Sequence, residues 1–172
     1  MSVQYETMLS AETIQNRIKE LGRQISFDYD GQELVVICVL KGAFIFASDL
    51  VRQLNLPVRI EFIGVASYQG TQSTGQVRIT NDLTTEVSGK HILLVEDIID
   101  TGKTIDFLTD LLEVREPKSL KICSFLSKPE CHTMKRKIDY VGFEIENQFV
   151  IGYGLDLDGR YRELPFIGQV QQ

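Results

Sequence analysis

The chain has 172 residues, 43% of them hydrophobic and 24% charged, which is ordinary for a single globular domain. No apolar run approaches the roughly 20 residues that cross a membrane. A formal charge of −6 disfavours nucleic-acid binding, which needs a basic face. We therefore expect one domain, residues 1–172, with neither a membrane nor a nucleic-acid partner.

The N-terminus and the cysteines favour a cytoplasmic location. Met1–Leu9 lacks the basic start and the apolar core of a secretory signal. Three cysteines are too few for a disulfide framework, and Cys38 and Cys123 lie in apolar, strand-like runs. Cys131 and His132 have no second Cys/His pair at metal-ligand spacing, so we do not expect a zinc site.

The beginning of the chain predicts a helix and a buried strand. Ser10 is a suitable N-cap, and the apolar stripe after it is one-sided, so we predict an amphipathic helix that ends near Gly22. The run Leu34–Leu40 is apolar throughout and rich in β-branched residues. It therefore predicts a strand that is covered on both faces.

A second helix and a further strand follow a glycine turn. The turn is Lys41–Gly42, and the apolar pattern that starts at Phe44 predicts a helix that ends before Pro57. Val58–Ala66 is the next strand, so strand, helix and strand form a right-handed parallel crossover. The polar, glycine-rich segment Ser67–Gly75 has the composition of a linker or a mobile loop.

The stretch His91–Thr104 reads H-I-L-L-V-E-D-I-I-D-T-G-K-T and predicts a strand, a polar loop and a helix start. Ile92–Val95 is an apolar strand, and the apolar residues after Thr104 have the spacing of a helix packed by one side. At such a junction, free backbone N–H groups and the positive end of the helix dipole bind an anion. The loop is therefore predicted to bind a phosphate.

Three carboxylates stand in this predicted loop: Glu96, Asp97 and Asp100. They would repel a phosphate unless they bind sugar hydroxyls, a metal ion or a substrate proton, so the pattern favours a phosphorylated sugar. A nucleotide triphosphatase P-loop needs glycine at the position of Asp97. A phosphoaspartate enzyme needs two aspartates separated by one residue. This chain meets neither requirement, so both interpretations are rejected. An acidic surface turn without a function remains the alternative.

The last third of the chain predicts further buried strands. Leu120–Leu126 is an apolar run that exits at Lys128, and Phe149 precedes another apolar run. Taken alone, Lys128 is a solvated lysine, Phe149 is core and Arg162 is a surface residue. In an open parallel sheet, however, the carboxyl ends of the strands meet in one crevice, where we expect the motif residues to converge.

The string V-E-D-I-I-D-T-G-K-T, Val95–Thr104, resembles the loop that binds phosphoribosyl pyrophosphate (PRPP) in type I phosphoribosyltransferases, and more narrowly in their hypoxanthine and guanine branch. The resemblance extends from about Leu34 to Ile167. It implies an α/β fold, with a doubly wound and mostly parallel sheet whose core spans about residues 25–138. Residues 1–24 and 139–172 are expected to form a small hood over the sheet.

The resemblance implies a reaction of purine salvage. This is the Mg²⁺-dependent transfer of ribose 5-phosphate from PRPP to N9 of hypoxanthine, and of guanine, with release of pyrophosphate. A homodimer or homotetramer is also implied. Two alternatives remain: a PRPP-sensing, RNA-binding regulator of the same fold, which the acidic composition disfavours, and a transferase that prefers xanthine.

By the same resemblance, Glu96 and Asp97 would hold the ribose hydroxyls and, with Asp156, Mg²⁺. Asp100 would be the catalytic acid/base at N7 of the purine, and Arg162 would reach the pyrophosphate. The remaining contacts to pyrophosphate and the 5′-phosphate would come from Leu40, Lys41, Gly42, Ile99, Asp100, Thr101, Gly102, Lys103 and Thr104.

The resemblance also places the purine. Lys128 would donate a hydrogen bond to the 6-oxo group and reject a 6-amino group, because donors would then face each other. Phe149 would stack on the ring, and the backbone of Val150 and Asp156 would contact its edge.

Ser67 and Tyr68 would belong to a lid, Ser67–Gly75, that closes over the reacting centre. Closure would exclude water from a reactive glycosyl cation.

Overall fold

The computed structural model describes residues 3–67 and 77–171, and of Ser67 only the backbone. The strands in these ranges are β1 (Tyr5–Leu9), β2 (Leu34–Leu40), β3 (Val58–Ser67), β4 (Val77–Asn81), β5 (His91–Ile99), β6 (Ser119–Ser127), β7 (Tyr140–Glu144), β8 (Val150–Ile151) and β9 (Ile167–Val170). The α-helices are α1 (Ala11–Asp28), α2 (Phe44–Val51) and α3 (Lys103–Glu113). None of these described helices combines the length and the apolarity of a membrane span.

The larger sheet has six strands in the order β4-β3-β2-β5-β6-β7. All neighbours run parallel except β3 and β4. The central strands β2 and β5 are buried on both faces, which explains their uninterrupted apolar runs. Because β2, β5 and β6 run parallel, their carboxyl ends lie at the same edge of the sheet. The predicted doubly wound α/β fold is confirmed.

Helices cover both faces of this sheet. Successive residues of β2 point to opposite faces, so Val36 and Cys38 pack with α1 and α2, whereas Val35 and Ile37 pack with α3. Each helix buries one apolar stripe. The buried apolar residues of α3 are Ile105, Leu108 and Leu112.

The smaller sheet joins the two ends of the chain in the antiparallel order β1-β9-β8. Tyr5 of β1 pairs with Val170 of β9, and Val150 of β8 pairs with Gln169. This sheet corresponds to the hood that was expected from the terminal segments.

The boundaries of the hood differ from the expected residues 1–24 and 139–172. β7 extends the larger sheet, where Tyr140 pairs with Cys123 of β6. α1 packs against α2 in the main core. Arg17 of α1 also donates hydrogen bonds to the carbonyl oxygens of Val141 (2.8 Å) and Gly142 (2.9 Å) in β7. Both elements bury apolar surface on the larger sheet, so the hood sheet is limited to β1, β8 and β9.

Helix α1 does not end at Gly22, as predicted, but continues to Asp28. A Cβ at residue 22 would lie 2.5 Å from the Cβ of Gln53. Gly22 is therefore a point of close packing inside the helix rather than its C-terminal cap. The N-cap prediction agrees with the structure, since the Ser10 side chain accepts a hydrogen bond from the backbone N–H of Thr13.

Candidate active site

The end of β5 carries two acidic residues inside the strand. The sequence placed Glu96 and Asp97 in a loop, but the strand continues to Ile99. β5 pairs with β2 only as far as Val95. Beyond it, the Glu96 and Asp97 side chains accept hydrogen bonds from the backbone N–H groups of Asp97 (3.1 Å) and Ile98 (2.7 Å). The strand continues because β5 stays paired with β6 as far as Ile99.

The loop between β2 and α2 lies against these carboxylates. It contains a cis peptide bond between Leu40 and Lys41. A Cβ at Gly42 would lie 1.6 Å from Asp97 Oδ2, so only glycine permits this approach. The loop thus brings Lys41 and Gly42 into the same cavity as the acidic pair.

Glu96 and Asp97 form a buried acidic pair. Burial is the main cause that raises the pKa of Glu96 well above its ordinary value, and the negative charge of Asp97 raises it further. Burial also raises the pKa of Asp97, while the hydrogen bond with Glu96 and the charge of Arg162 act in the opposite direction. Such a pair either retains a proton or requires a nearby cation.

The ligands near this pair suit a hard divalent cation. Asp156 lines the same cavity as Glu96 and Asp97, so the candidate ligands are all carboxylates. Within residues 3–67 and 77–171, no three His, Cys, Asp or Glu side chains are grouped closely enough to hold a metal ion by themselves. An ion here would take its other ligands from water and substrate, as Mg²⁺ commonly does.

The turn after β5 has the geometry of an anion site. Gly102 is the N-cap of α3 and has a left-handed φ of 85°, and a Cβ there would lie 2.4 Å from Met134 Cβ. Because α3 begins at Lys103, the free N–H groups of its first turn and the positive end of its dipole adjoin the turn. Thr101 and Thr104 line the cavity beside them.

Two adjoining cavities open at the carboxyl edge of the sheet. The larger has a volume of 430 Å³ and the smaller 270 Å³. Both are lined by Asp97, Ile98, Asp100 and Asp156. The larger cavity brings together most of the predicted site residues, namely Leu40, Lys41, Gly42, Glu96, Asp97, Ile99, Asp100, Thr101, Gly102, Lys103, Thr104, Asp156 and Arg162.

The smaller cavity contains a buried ammonium group and an exposed aromatic ring. Lys128 is only 8% exposed, and its Nζ is 3.5 Å from Asp100 Oδ2 and 3.4 Å from Asn147 Oδ1. Phe149 is 49% exposed and lines the cavity together with Val150. A flat heterocycle can stack on such a ring and accept a hydrogen bond from the ammonium group.

Arg162 connects the C-terminal segment to the larger cavity. Its guanidinium group is 2.7 Å from Asp156 Oδ1 and donates a 2.6 Å hydrogen bond to the carbonyl oxygen of Gly154. Asp156 also accepts a 2.7 Å hydrogen bond from the backbone N–H of Gly159. An anion bound in the larger cavity would therefore interact with the same guanidinium group that already pairs with the Asp156 carboxylate.

Ser67 and Tyr68 were predicted to belong to a lid, Ser67–Gly75. Tyr68 and the rest of the predicted lid lie outside the described residues. The backbone of Ser67 is described and ends β3.

Asn147 and Gln148 are site residues that the sequence interpretation did not identify. Asn147 contacts Lys128, and Gln148 lines the smaller cavity. A polar pair directly before Phe149 was the available signal. It is weak, because only the tertiary contact with Lys128 distinguishes these residues from an ordinary turn.

Comparison with known proteins shows the family of the chain. Residues 4–158 match the model of the phosphoribosyl transferase domain. The chain is 48% identical over 168 residues to a hypoxanthine-guanine phosphoribosyltransferase of Mycobacterium avium, covering 94% of this chain and 83% of that protein. It is 46% identical over 169 residues to a hypoxanthine phosphoribosyltransferase of Haemophilus influenzae, covering 96% and 94% respectively.

Solved structures show the same likeness. The crystal structure of a hypoxanthine-guanine phosphoribosyltransferase from Bacillus anthracis superposes with a TM-score of 0.92 at 43% identity. The superposition covers 99% of this chain and 98% of that chain.

The doubly wound sheet and these relatives identify an enzyme that transfers a pentose phosphate group. The chain belongs to the phosphoribosyltransferase family. Within the family it is similar to the hypoxanthine and hypoxanthine-guanine phosphoribosyltransferases, and the resemblance found in the sequence is confirmed.

Proposed function

We propose that the chain transfers ribose 5-phosphate from PRPP to N9 of hypoxanthine and of guanine, releasing pyrophosphate, in purine salvage. The observation that carries this proposal is the pair of cavities with a common wall at Asp97, Ile98, Asp100 and Asp156. One cavity has an anion-binding turn and acidic residues, and the other has an ammonium group and an aromatic ring. The bond between sugar and base would form at the common wall.

In the larger cavity, the chain's own groups hold the two phosphate-bearing ends of PRPP. Backbone amides of residues 100–104 and the hydroxyls of Thr101 and Thr104 bind the 5′-phosphate. Lys41, the amides of its loop and Arg162 bind pyrophosphate. These donors stabilise the negative charge that develops on the leaving group while the ribose acquires oxocarbenium character.

Glu96 and Asp97 bind the ribose hydroxyls and, together with Asp156, would hold Mg²⁺. When bound, the ion supplies positive charge to the departing pyrophosphate. The raised pKa values of the acidic pair support this assignment, because burying two carboxylates side by side is costly without a cation.

In the smaller cavity, the residues select and activate the base. Lys128 donates to the 6-oxo group, Phe149 stacks on the ring, and the backbone of Val150 and Asp156 contacts its edge. Asp100, which lies within 3.5 Å of Lys128 Nζ, takes or gives the proton at N7. Ser67 and Tyr68 are expected to close a lid over the reacting atoms.

We further propose a cytoplasmic homo-oligomer, either a homodimer or a homotetramer. β3 exposes Ile60 (48%) and Phe62 (46%), and α2 exposes Phe44 (44%). Ile60 and Phe62 pair with Val36 and Cys38 of β2, so they lie on the sheet face that carries α2. An apolar area of this kind on a globular chain supports subunit contact.

The test is a base panel with PRPP and Mg²⁺, monitored by pyrophosphate release. We expect release with hypoxanthine and guanine, and none with adenine. Turnover with xanthine in preference to both would support the xanthine alternative. Absence of turnover, combined with RNA retention in a filter-binding assay at low salt, would support the RNA-binding regulator.

A further inference from the structure

Gly154 marks the point at which the two halves of the site touch. Its φ is 101°, and a Cβ there would lie 2.1 Å from the carbonyl oxygen of Gly42. The backbone of Gly154 thus rests directly on the loop that lines the larger cavity, while the next residue, Leu155, lines the smaller one. The contact therefore joins the segment that lines the smaller cavity to the loop that lines the larger one.

Tyr153, directly before Gly154, has a backbone conformation that its bulky side chain disfavours. Its φ is 50°, and the flanking Gly152 and Gly154 are also left-handed, at 96° and 101°. A bulky residue persists in this region only where its surroundings fix it, and such residues concentrate at functional sites.

Contacts on both the side chain and the backbone hold Tyr153 in this conformation. The side chain is 3% exposed, and its ring centroid is 4.9 Å from that of Phe125. Its backbone N–H donates a 2.8 Å hydrogen bond to the carbonyl oxygen of Leu164. These contacts hold the ring and the backbone, but they do not connect the turn to α2, the helix after the Gly42 loop.

That connection is made by the hydroxyl of Tyr153, which donates a 2.5 Å hydrogen bond to Asp49 Oδ2. Asp49 lies on α2, the helix that follows the Gly42 loop. Gln15 of α1 donates to the same oxygen at 2.8 Å, and Arg52 pairs with the other. The carboxylate is thus anchored on two helices and holds the turn from one side.

We propose that Tyr153 and Asp49 are positioning residues for the transfer reaction, an inference that rests on the proposed function. Neither is among the described residues that line the two cavities. Their hydrogen bond fixes the base-binding segment against the pyrophosphate loop and so sets the distance between N9 of the base and the anomeric carbon. Transfer between two bound reactants is very sensitive to that distance, and an error of about 1 Å can cost on the order of 10²-fold in rate.

The first test is Tyr153→Phe, which keeps the ring and removes the hydroxyl. We expect kcat to fall by about tenfold or more, with the KM values for PRPP and for hypoxanthine changed by less than about threefold. Each cavity keeps all of its lining residues, so substrate binding is preserved, and only the position of one cavity relative to the other changes. A kcat equal to that of the wild type would overturn the proposal.

Tyr140→Phe is the matched control. Tyr140 is also 3% exposed, and its hydroxyl donates a 2.6 Å hydrogen bond to Asp28 Oδ2 at the opposite end of the sheet. Tyr140→Phe also loses the 3.0 Å hydrogen bond that the hydroxyl accepts from Lys121 Nζ, so it should lose at least as much stability as Tyr153→Phe. Only Tyr153→Phe should lose kcat. An equal loss of kcat in Tyr140→Phe would mean that the effect reports stability alone, and the proposal would be wrong.

The second test uses the partner residue. Asp49→Asn keeps an oxygen acceptor and should retain more of kcat than Asp49→Ala. Combining Tyr153→Phe with Asp49→Ala should be no slower than Asp49→Ala alone, because both remove the same bond. Losses of kcat that add in the double variant would contradict the proposal. If Asp49→Ala fails to fold, the Tyr153→Phe result alone decides it. A wild-type enzyme that transfers neither base refutes the proposed function instead, whereas an active wild type with unimpaired variants refutes only this inference.

Discussion

Asp100 lies on the wall between the two cavities, with its side chain 54% exposed. If it exchanges a proton with N7 of the base, Asp100→Asn should lower kcat by roughly 10² to 10⁴. The affinity for PRPP should change far less, because the backbone donors of the anion-binding turn remain. Steady-state kinetics with PRPP varied measures both effects, with Asp30→Asn, an exposed aspartate far from the site, as the control. An unchanged kcat would remove Asp100 from the chemistry.

Lys128 is a buried ammonium group in the smaller cavity. Lys128→Ala should weaken the preference for 6-oxopurines by about 1.5 to 3 kcal/mol, the range for a hydrogen bond to a charged group. The measurement is kcat/KM for hypoxanthine and guanine beside adenine, with the exposed Lys137→Ala as the control. Kinetics identical to the wild type for both 6-oxopurines would mean that Lys128 is an ordinary lysine at a strand exit.

At the residue scale, the sequence predicted the groups that sit next to one another in the chain. Residues 96–104 form one continuous motif, so their proximity can be predicted without knowing the tertiary structure. Asn147 and Tyr153 were not identified, because their side chains contact Lys128 and Asp49, which are 19 and 104 residues away in the chain. A hydrogen bond of that kind leaves no periodic pattern in the sequence.

At the scale of elements, Gly22 tests whether helix propensity or packing decides the stability of α1. Alanine favours a helix interior over glycine by about 1 kcal/mol. A Cβ here would lie 2.5 Å from Gln53 Cβ and 2.8 Å from the Gln53 carbonyl oxygen, and overpacking costs about 1 to 3 kcal/mol. We expect Gly22→Ala to lower the free energy of unfolding in urea, whereas Arg23→Ala, at an exposed position, should leave it nearly unchanged. A stabilised Gly22→Ala would show that the two segments can separate at little cost.

Glu61 of β3 connects this strand to the segment after β4. It is 9% exposed and accepts hydrogen bonds from the hydroxyls of Thr85 (2.7 Å) and Thr84 (3.2 Å). The bond from Thr85, and the smaller effect of Thr84, lower the pKa of Glu61 below its ordinary value.

Because its pKa is lower in the folded state, Glu61 adds stability above the unfolded pKa of about 4.3 and loses it as the pH falls through the folded value. Glu61→Gln should therefore be less stable than the wild type at pH 7, by no more than about 2 kcal/mol. The difference should shrink toward pH 3. Urea unfolding at both pH values checks this, and a difference that does not depend on pH would contradict it.

Elements were predicted well where an apolar run coincides with the whole element, and poorly where a polar or small residue stands inside it. β2 has the predicted bounds, Leu34–Leu40, because both of its faces are buried along its whole length. β5 extends past its prediction because it stays paired with β6 as far as Ile99, and α1 passes Gly22 because the glycine packs closely against Gln53. In both cases a polar or small residue looked like an end, and a tertiary contact overrode it.

At the scale of the whole molecule, the exposed apolar face of β3 predicts a subunit contact. Phe62→Lys places a charge on this face, where desolvating it would oppose association. Light scattering after size exclusion should therefore give a smaller mass than for the wild type. Val114→Lys is the control, since Val114 is an isolated exposed residue at the end of α3. An unchanged mass for Phe62→Lys would place the contact elsewhere.

The pairing of β1 with β9 has a consequence for biosynthesis. Tyr5 pairs with Val170 of β9, and Val150, which lines the smaller cavity, pairs with Gln169 of the same strand. The central strands β2, β3 and β5 pair among themselves and can assemble as soon as they leave the ribosome. The wall of the smaller cavity at Val150 therefore forms only after β9 has been synthesised and has paired with β1 and β8, which closes a long loop of the chain.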